Sequence, residues 1–369
     1  MSPSAPRHVL MTTDAVGGVW TYALDLSQGL AERGVGVTLA VLGPSPSSAQ
    51  RAAVEDLASV ALIDTGLPLD WLEDDAAALD GAGRALAVLA QGRGADLIHL
   101  NSPALAAGVR FPAPVVGACH SCLASWWSAV KAGELPQPFR RRTERLARGY
   151  AACDRLIAPS RAFAETTRAL YGVTPQVVHN GRAGPAADPA AARQPVALTS
   201  GRLWDEAKNV ATLDRAAAQL SWPVEAAGAL EGPGGAAVRL EHIAALGHLS
   251  PAQLEARLSQ TAVFVSLALY EPFGLGVLEA AQAGCALLLS DIPTFRELWD
   301  GAAVFVPPLD DAAAARALDA LLGDADEARA RGEAARRRAA RFSLEAMVER
   351  TLDIYAEALA PASRQEAAA

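Results

Sequence analysis

The chain alternates short apolar β-type segments with alanine- and leucine-rich helical segments, and it does so twice. The first series runs from HVLMTT (8–13) to VTPQVVHN (173–180), and the second from VALTSGRL (196–203) to AAVFVPP (302–308). Alternation of this kind predicts a parallel, doubly wound sheet, because parallel strands need helical crossover connections. Each series therefore predicts its own α/β unit.

Chain length and one unusual segment separate the two units. A chain of 369 residues is too long for one ordinary hydrophobic core. The segment 181–195 is rich in Gly, Pro and Ala and lacks apolar periodicity, as is typical of a linker. We predict one Rossmann-like domain over 1–182 and a second over 183–342. The tail 343–369 has apolar residues at helical spacing, so we expect a long helix packed across the domains.

Composition argues against several classes of partner. The net charge of -9 does not fit a nucleic-acid-binding surface, which would be basic. The chain has no apolar run long enough to span a bilayer, and its N-terminus does not resemble a secretory signal. Four cysteines in so long a chain favour reduced thiols and a cytoplasmic location. The arginine cluster 140–142 is expected to be a solvated helix face, with anionic lipid or an anionic acceptor as the alternative.

The sequence CHSC places Cys119 and Cys122 around His120. A zinc site would need two more ligands, and only Cys153 or a distant histidine could help to supply them. A redox pair would normally open a helix of a thioredoxin-like unit, which the alternating pattern does not indicate. No aspartate-rich motif follows an apolar strand either. We therefore expect no metal and no cofactor.

The stretch YEPFGLGVLEAAQAG (270–284) places two carboxylates, Glu271 and Glu279, among apolar and glycine neighbours. Glu271 follows an apolar strand, so it is predicted at the carboxyl edge of the sheet, where ligands bind in open α/β folds. Gly274 and Gly276 open a helix whose free N–H groups favour an anion. Glu279, about one turn further on, can accept hydrogen bonds from vicinal hydroxyls. Phosphate and hydroxyls together indicate a sugar nucleotide.

Two cations are predicted at the same edge of the second sheet. Arg202 ends the strand 196–203, and Lys208 follows six residues later. Such a pair can neutralise a diphosphate, the arginine through its planar fork and the lysine as a point charge. Taken singly these signals are weak, because cations after a strand are usually solvated. Glu279 could likewise be a surface residue of an amphipathic helix.

Taken together, GRLWDEAKN and YEPFGLGVLEAAQAG resemble the signature of the retaining glycosyltransferase family 4, with its E-x7-E motif and GT-B fold. The following AGCALLLSDIP strengthens the resemblance. DAVGGVWTYALDL is similar to the family's N-terminal glycine loop, VVHNG to its interdomain turn and RFSLEAMVERTLDIY to its returning C-terminal helix. The resemblance implies an α/β protein of GT-B architecture, with two Rossmann-like, doubly wound parallel-sheet domains facing across a cleft.

The resemblance also implies roles for matched residues. Glu271 would contact hydroxyls of the transferred sugar, and Glu279 would hold the nucleotide ribose. Arg202 and Lys208 would hold the diphosphate and stabilise its charge as the glycosidic bond breaks. The other implied donor-binding residues are Phe273, Gly274 and Leu275 through their backbone amides, Gly17 and Gly18 in the N-terminal glycine loop, and His248 and Leu249 near the nucleobase.

The first domain supplies further candidates. His120 ends the strand APVVGACHS, and in the family a histidine at this place lies beside the donor sugar. A core or capping histidine is the alternative. His99 lies within its strand and is expected to pack, whereas Asn101, nearer the strand end, is a candidate acceptor contact. Trp126 and Trp127 could offer an acceptor a stacking face, although paired tryptophans are more often core residues.

These observations predict a cytoplasmic, metal-independent, retaining glycosyltransferase with His120, Glu271, Arg202 and Lys208 as its catalytic residues. Its donor would be a nucleoside-diphosphate sugar, UDP- or GDP-linked. Its acceptor would be a small molecule, a glycan or a glycolipid. Peripheral association with a membrane is compatible with this prediction. A sugar-nucleotide 2-epimerase of the same architecture and a non-catalytic sugar-nucleotide-binding protein are the alternatives.

The chain departs from the family pattern near the interdomain turn. His179 stands in place of the usual proline, and Arg182 and Ala183 stand where an acid is often found. These changes leave the acceptor and hinge details open.

Overall fold

The computed structural model describes residues 5–184, 193–232 and 235–360. These residues form two parallel-sheet α/β domains and a C-terminal helix. Most of the predicted linker 181–195 lies outside the described residues. Within the described ranges, no helix is both long enough and apolar enough to cross a membrane.

The first domain is built on a parallel sheet of seven strands. Its strands are β1 (His8–Asp14), β2 (Gly36–Leu42), β3 (Val60–Leu67), β4 (Leu97–Leu100), β5 (Val115–Ala118), β6 (Arg155–Ala158) and β7 (Gln176–Val177). Their order is β3-β2-β1-β4-β5-β6-β7. The chain reverses its direction of winding between β1 and β4, and a ligand crevice opens at the carboxyl ends of strands at such a point.

Helices between the strands cover this sheet. They are α1 (Gly18–Ala31), α2 (Ser48–Glu55), α3 (Ala76–Arg93), α4 (Leu123–Val130), α5 (Gln137–Ala151) and α6 (Arg161–Tyr171). Ser47 and Asp75 cap α2 and α3 through their side chains. In contrast, α1 follows Gly17, with no side-chain cap among the described residues, and its first N–H groups are therefore available at the carboxyl end of β1.

The second domain repeats the same winding in a six-stranded parallel sheet. Its strands are β8 (Gln194–Ser200), β9 (Val224–Ala227), β10 (Ala244–Gly247), β11 (Thr261–Ser266), β12 (Ala286–Ser290) and β13 (Val304–Val306), in the order β10-β9-β8-β11-β12-β13. The reversal lies between β8 and β11. The remaining helices are α7 (Val210–Ala217), α8 (Pro251–Gln260), α9 (Leu275–Gln282), α10 (Pro293–Trp299), α11 (Asp311–Gly323), α12 (Ala325–Ala339) and α13 (Leu344–Leu359).

The last helix, α13, packs on the first domain rather than on the second. Its buried Val348 and Ile354 share one apolar cluster with Leu26 and Leu30 of α1. A Cβ atom at Gly29 of α1 would overlap the side chain of Val348, so the two helices are close at this point. The last described helix therefore packs on the domain that contains β1.

Gly181 lies where the outgoing chain crosses the returning chain. Arg182 forms an isolated parallel bridge with Ser343, and its carbonyl accepts a hydrogen bond from the N–H of Leu344 at 3.3 Å. A Cβ atom at Gly181 would overlap the backbone carbonyl of Ser343, which cannot rotate away. The glycine of the His-Asn-Gly turn is therefore required by this close approach of two backbones.

Replacing Gly181 should weaken this crossing. We expect Gly181→Ala to lower the free energy of unfolding by about 1–3 kcal/mol, because the added methyl group forces two backbones apart. Gly184→Ala is the matched control, since its Cβ atom would meet nothing closer than the Gln282 side chain at 3.9 Å. Urea unfolding followed by circular dichroism measures both changes, and equal effects would contradict the packing argument.

Candidate active site

The carboxyl edges of the two sheets face each other across one cleft. A Cβ atom at Gly17 would lie 3.7 Å from Nη1 of Arg202, and one at Gly18 would lie 3.6 Å from Cδ1 of Leu275. The glycine loop after β1 therefore lies close to Arg202 after β8 and to Leu275 at the start of α9. Ligands of open α/β sheets bind at such edges, so this cleft is the candidate active site.

Lys208 and Glu271 form an ion pair at the carboxyl edge of the second sheet. The lysine Nζ donates to Oε2 of the glutamate at 2.5 Å, and the two side chains are 24% and 14% exposed. Lys208 ends a short 3-10 turn that Asp205 caps by accepting a hydrogen bond from the N–H of Ala207 at 3.0 Å. Glu271 lies in the loop between β11 and α9. The remaining exposure lets a ligand compete for either partner.

Arg202 is held more loosely than Lys208. Its side chain is nearly half exposed, and Nη2 donates to Oδ2 of Asp205 at 3.3 Å. Its guanidinium lies 5.7 Å from the ring centroid of Trp204. An arginine carries five N–H donors, so this contact leaves donors with which to bind an anion.

The loop before α9 presents backbone N–H groups to the cleft. Phe273 is buried in the core and anchors the loop. Gly274 has a φ of 94°, in the left-handed region that favours glycine, and a Cβ atom there would meet Phe295 at 3.2 Å. Among the described side chains none caps α9, which starts at Leu275. The first N–H groups of this helix are therefore available to an anion.

Glu279 is bound by an arginine that the sequence analysis did not assign to the site. Arg182 donates from Nη1 to Oε1 of Glu279 and from Nε to Oδ2 of Asp25 at 2.9 Å. Asp25 belongs to α1 and Glu279 to α9, so Arg182 links the two domains. Burial raises the pKa of each carboxyl group, and the nearby guanidinium offsets only part of this increase. The sequence signal that could have predicted this contact is Arg182 itself, a basic residue at a position where the family often has an acid.

His120 lies after β5 and lines a small cavity in the first domain. The cavity has room for about one water molecule and is lined also by Tyr22 and Asn180. The rings of His120 and Tyr22 meet edge to face with their centroids 4.6 Å apart. Nε2 of His120 lies 2.7 Å from Oδ1 of Asn101. Burial lowers the pKa of His120 to about 4, so the imidazole is neutral at pH 7.

The remaining predicted residues differ in what they contact. Trp126 donates from Nε1 to Oδ1 of Asp205 at 3.0 Å, so its indole joins α4 to the second domain. Trp127 packs edge-on against Phe139, with centroids 5.7 Å apart. His248 and Leu249 follow β10, where His248 is exposed and Leu249 packs on the apolar cluster beneath α9.

Two acids at the edge of the first sheet were missed by the sequence analysis. Asp14 is the last residue of β1, and its Oδ1 accepts a hydrogen bond from the N–H of Val16 at 2.8 Å. Asp70 follows β3, and burial raises its pKa to about 6. Asp14 directly follows a predicted strand, so its position was available from the sequence. Asp70 was not, because the half-buried edge strand β3 gave no clear apolar pattern.

The cysteines, all within the described ranges, form no disulfide, and Cys122 has a capping role. All four are free thiols, and Sγ of Cys122 accepts a hydrogen bond from the N–H of Ser125 at 3.3 Å, which caps α4. In the part of the chain that the structure describes, no three His, Cys, Asp or Glu side chains are grouped so as to hold a metal ion.

Solved structures with similar folds span nearly the whole chain. Sucrose-phosphate synthase from Thermosynechococcus elongatus has a TM-score of 0.77 at 20% identity, covering 95% of this chain and 98% of its own. A glycosyltransferase from Rickettsia africae has a TM-score of 0.71 at 16% identity, with 96% and 98% covered. HepE from Anabaena, in complex with UDP and glucose, has a TM-score of 0.73 at 15% identity, with 95% and 100% covered. No curated protein matches by sequence.

Two family models match consecutive parts of the chain. Glycosyltransferase Family 4 matches residues 16–182, and Glycosyl transferases group 1 matches residues 186–338. The first contains six of the seven strands of the first sheet, and the second contains all six strands of the second sheet. The chain is a glycosyltransferase of GT-B fold. The architecture that the sequence resemblance implied is thereby confirmed, with both Rossmann-like domains in place.

Removing Arg182 should destabilise the glycosyltransferase by leaving Asp25 and Glu279 as unpaired, largely buried carboxylates. We expect Arg182→Gln to lower the free energy of unfolding by about 1–3 kcal/mol, less than for a fully buried pair because all three side chains keep some exposure. Arg331→Gln is the control, since its exposed pair with Glu327 should contribute less than about 1 kcal/mol.

A double variant sharpens this test. Adding Asp25→Asn to Arg182→Gln removes one of the unpaired charges, so part of the lost stability should return. Denaturant unfolding of the single and double variants gives the coupling energy between the two residues. Strictly additive losses would show that the bridge across the domains contributes nothing.

Proposed function

We propose that this glycosyltransferase moves a sugar from a nucleoside-diphosphate sugar to a hydroxyl acceptor, with retention of anomeric configuration and without a metal ion. The observation that carries the proposal is the ion pair of Lys208 and Glu271 beside the uncapped N-terminus of α9. One edge of the cleft thus offers a cation and helix N–H groups for phosphate, and a carboxylate for hydroxyls.

The diphosphate would be bound by Arg202, Lys208 and the first N–H groups of α9. The interaction of these groups with the diphosphate becomes stronger as the glycosidic bond breaks, because negative charge then accumulates on the departing diphosphate. Two cations and a helix N-terminus supply the charge that a divalent metal provides in other enzymes, which supports a metal-independent reaction. HepE is solved with UDP and glucose, and this supports a UDP-linked donor here, with GDP as the second candidate.

The two glutamates would bind the two hydroxyl-bearing ends of the donor. Glu271, beside Lys208, would accept hydrogen bonds from the transferred sugar. Glu279 would accept from the ribose through Oε2, because Arg182 already occupies Oε1. Hydrogen bonds to a charged group contribute about 1.5–3 kcal/mol each, enough to orient a sugar nucleotide.

Retention would follow from attack on the face of the sugar that the diphosphate leaves. The acceptor oxygen bonds to the anomeric carbon as the bond from that carbon to the phosphate oxygen breaks, and the proton of the acceptor passes to the departing diphosphate. The chain's own part is to hold both reactants in place and to limit water. Contacts between the domains, such as Trp126 with Asp205, support a closed cleft.

A panel of UDP-, GDP- and ADP-sugars tests the proposal. Thermal shifts identify the donor, mass changes in candidate acceptors identify the product, and proton NMR of the product gives its anomeric configuration. Nucleoside diphosphate that appears only with acceptor excludes the epimerase, and full activity in EDTA supports metal independence. Donor binding with no turnover across the panel would instead indicate a non-catalytic binding protein.

Two variants should separate donor binding from catalysis. We expect Glu279→Ala to weaken nucleotide binding about tenfold to a hundredfold, because one or two hydroxyl contacts are lost. Lys208→Ala should lower kcat more than it weakens donor binding, because its charge matters most in the transition state. Calorimetry and steady-state kinetics measure the two effects. Glu255→Ala, on the exposed face of α8, is the control, and unchanged kinetics in both site variants would overturn these assignments.

A further inference from the structure

A continuous set of hydrogen bonds runs from the C-terminal helix to His120. The hydroxyl of Tyr355 on α13 lies 2.8 Å from Nδ1 of His99 on β4. Nε2 of His99 lies 3.2 Å from Oδ1 of Asn101, and Nε2 of His120 lies 2.7 Å from the same oxygen. Tyr355, His99 and Asn101 are all buried. One amide oxygen therefore meets two imidazole rings.

The orientation of the Asn101 amide follows from its other neighbour. Its Nδ2 lies 2.6 Å from the backbone carbonyl oxygen of Thr12, and its backbone N–H donates to the hydroxyl of the same threonine at 2.9 Å. A carbonyl oxygen can only accept, so the amide nitrogen must face Thr12. The amide oxygen must then face both histidines, which settles an assignment that is otherwise ambiguous for asparagine.

This orientation determines where each histidine carries its proton. An amide oxygen only accepts, so both histidines must donate from Nε2. A neutral imidazole carries one N–H, and burial lowers the pKa of His99 to about 3 and that of His120 to about 4. Both Nδ1 atoms are then lone-pair acceptors at pH 7. His99 uses its lone pair to accept from the hydroxyl of Tyr355, which completes the set consistently.

We propose that Asn101, His99 and Tyr355 are positioning residues that hold His120 as the Nε2–H tautomer, so that its Nδ1 accepts a hydrogen bond from a hydroxyl of the transferred sugar. The sugar contact rests on the proposed function, whereas the tautomer does not. His120 would thus orient the sugar as an uncharged acceptor rather than act as an acid. Asn101 would not contact the sugar itself but would hold the His120 ring through its Nε2–H.

The groups around His120 leave this tautomer undisturbed. Its titratable neighbours include Tyr22 from α1, His99 from β4 and Cys119 directly after β5. Burial raises the pKa of Tyr22 and of Cys119, and it lowers that of His99. All three are uncharged at neutral pH, so none of them stabilises an imidazolium at His120.

The tautomer can be measured directly in the full chain. Long-range proton–nitrogen NMR of protein labelled with nitrogen-15 histidine distinguishes the two neutral tautomers and the imidazolium. The chain has six histidines, and His99→Asn and His120→Asn assign the two signals. We expect both rings to show the neutral Nε2–H pattern from pH 5.5 to pH 8. An imidazolium at pH 7, or an Nδ1–H signal from His120, would overturn the proposal even if sugar transfer is found.

A charged variant tests the link to catalysis. Asn101→Asp places a carboxylate against both rings, which favours the imidazolium and should raise the pKa of His120 by about two units or more. With the identified donor, kcat should fall about tenfold at pH 5 and at least about twofold at pH 6, and its acid limb should move to higher pH. Glu255→Ala, on the exposed face of α8, is the control, because it changes no hydrogen bond of either histidine.

The outcomes separate this inference from the proposed function. A raised pKa of His120 with an unchanged pH profile of kcat would show that His120 does not contact the sugar, and would overturn the proposed role. If Asn101→Asp does not fold, the wild-type spectrum still decides the tautomer. If no sugar is transferred at all, the proposed function fails while the spectrum still reports on the positioning residues.

Discussion

Parallel strand direction is the constraint on which the site depends. Every strand of a parallel sheet ends at the same edge, so residues far apart in sequence are brought side by side simply by following a strand. Asp14, Asn101 and His120 end or follow β1, β4 and β5, and Arg202 and Glu271 follow β8 and β11. With the two edges facing each other, one cleft collects the polar chemistry of both domains.

The two glutamates of this cleft are each paired with a cation. Lys208 holds Glu271, and Arg182 holds Glu279, so neither carboxylate is left buried without a partner. A sugar nucleotide carries the complementary groups, since its phosphate can take the lysine while its hydroxyls satisfy the carboxylate. Under the proposed function, binding would therefore exchange one set of partners for another.

The sequence was most informative where function depends on short spacing. Glu271, Gly274 and Glu279 lie within one strand–loop–helix unit, so their relative placement follows from local structure. Arg182 contacts Glu279 across 97 residues, and His99 contacts Tyr355 across 256. Such contacts depend on how whole elements pack, which periodicity does not contain. Strands and helices were predictable because they depend on local periodicity, and these long-range hydrogen bonds were not because they depend on packing between elements.

The C-terminal helix shows how distant packing enters the chemistry. α13 lies against α1, with Gly29 allowing the close approach of Val348. The same α1 begins at the glycine loop and carries Tyr22 beside His120 and Asp25 beside Arg182. α13 also supplies Tyr355 to His99. α13 therefore helps to fix the glycine loop, His120 and Arg182 through α1, because α1 cannot shift without disturbing its packing against α13.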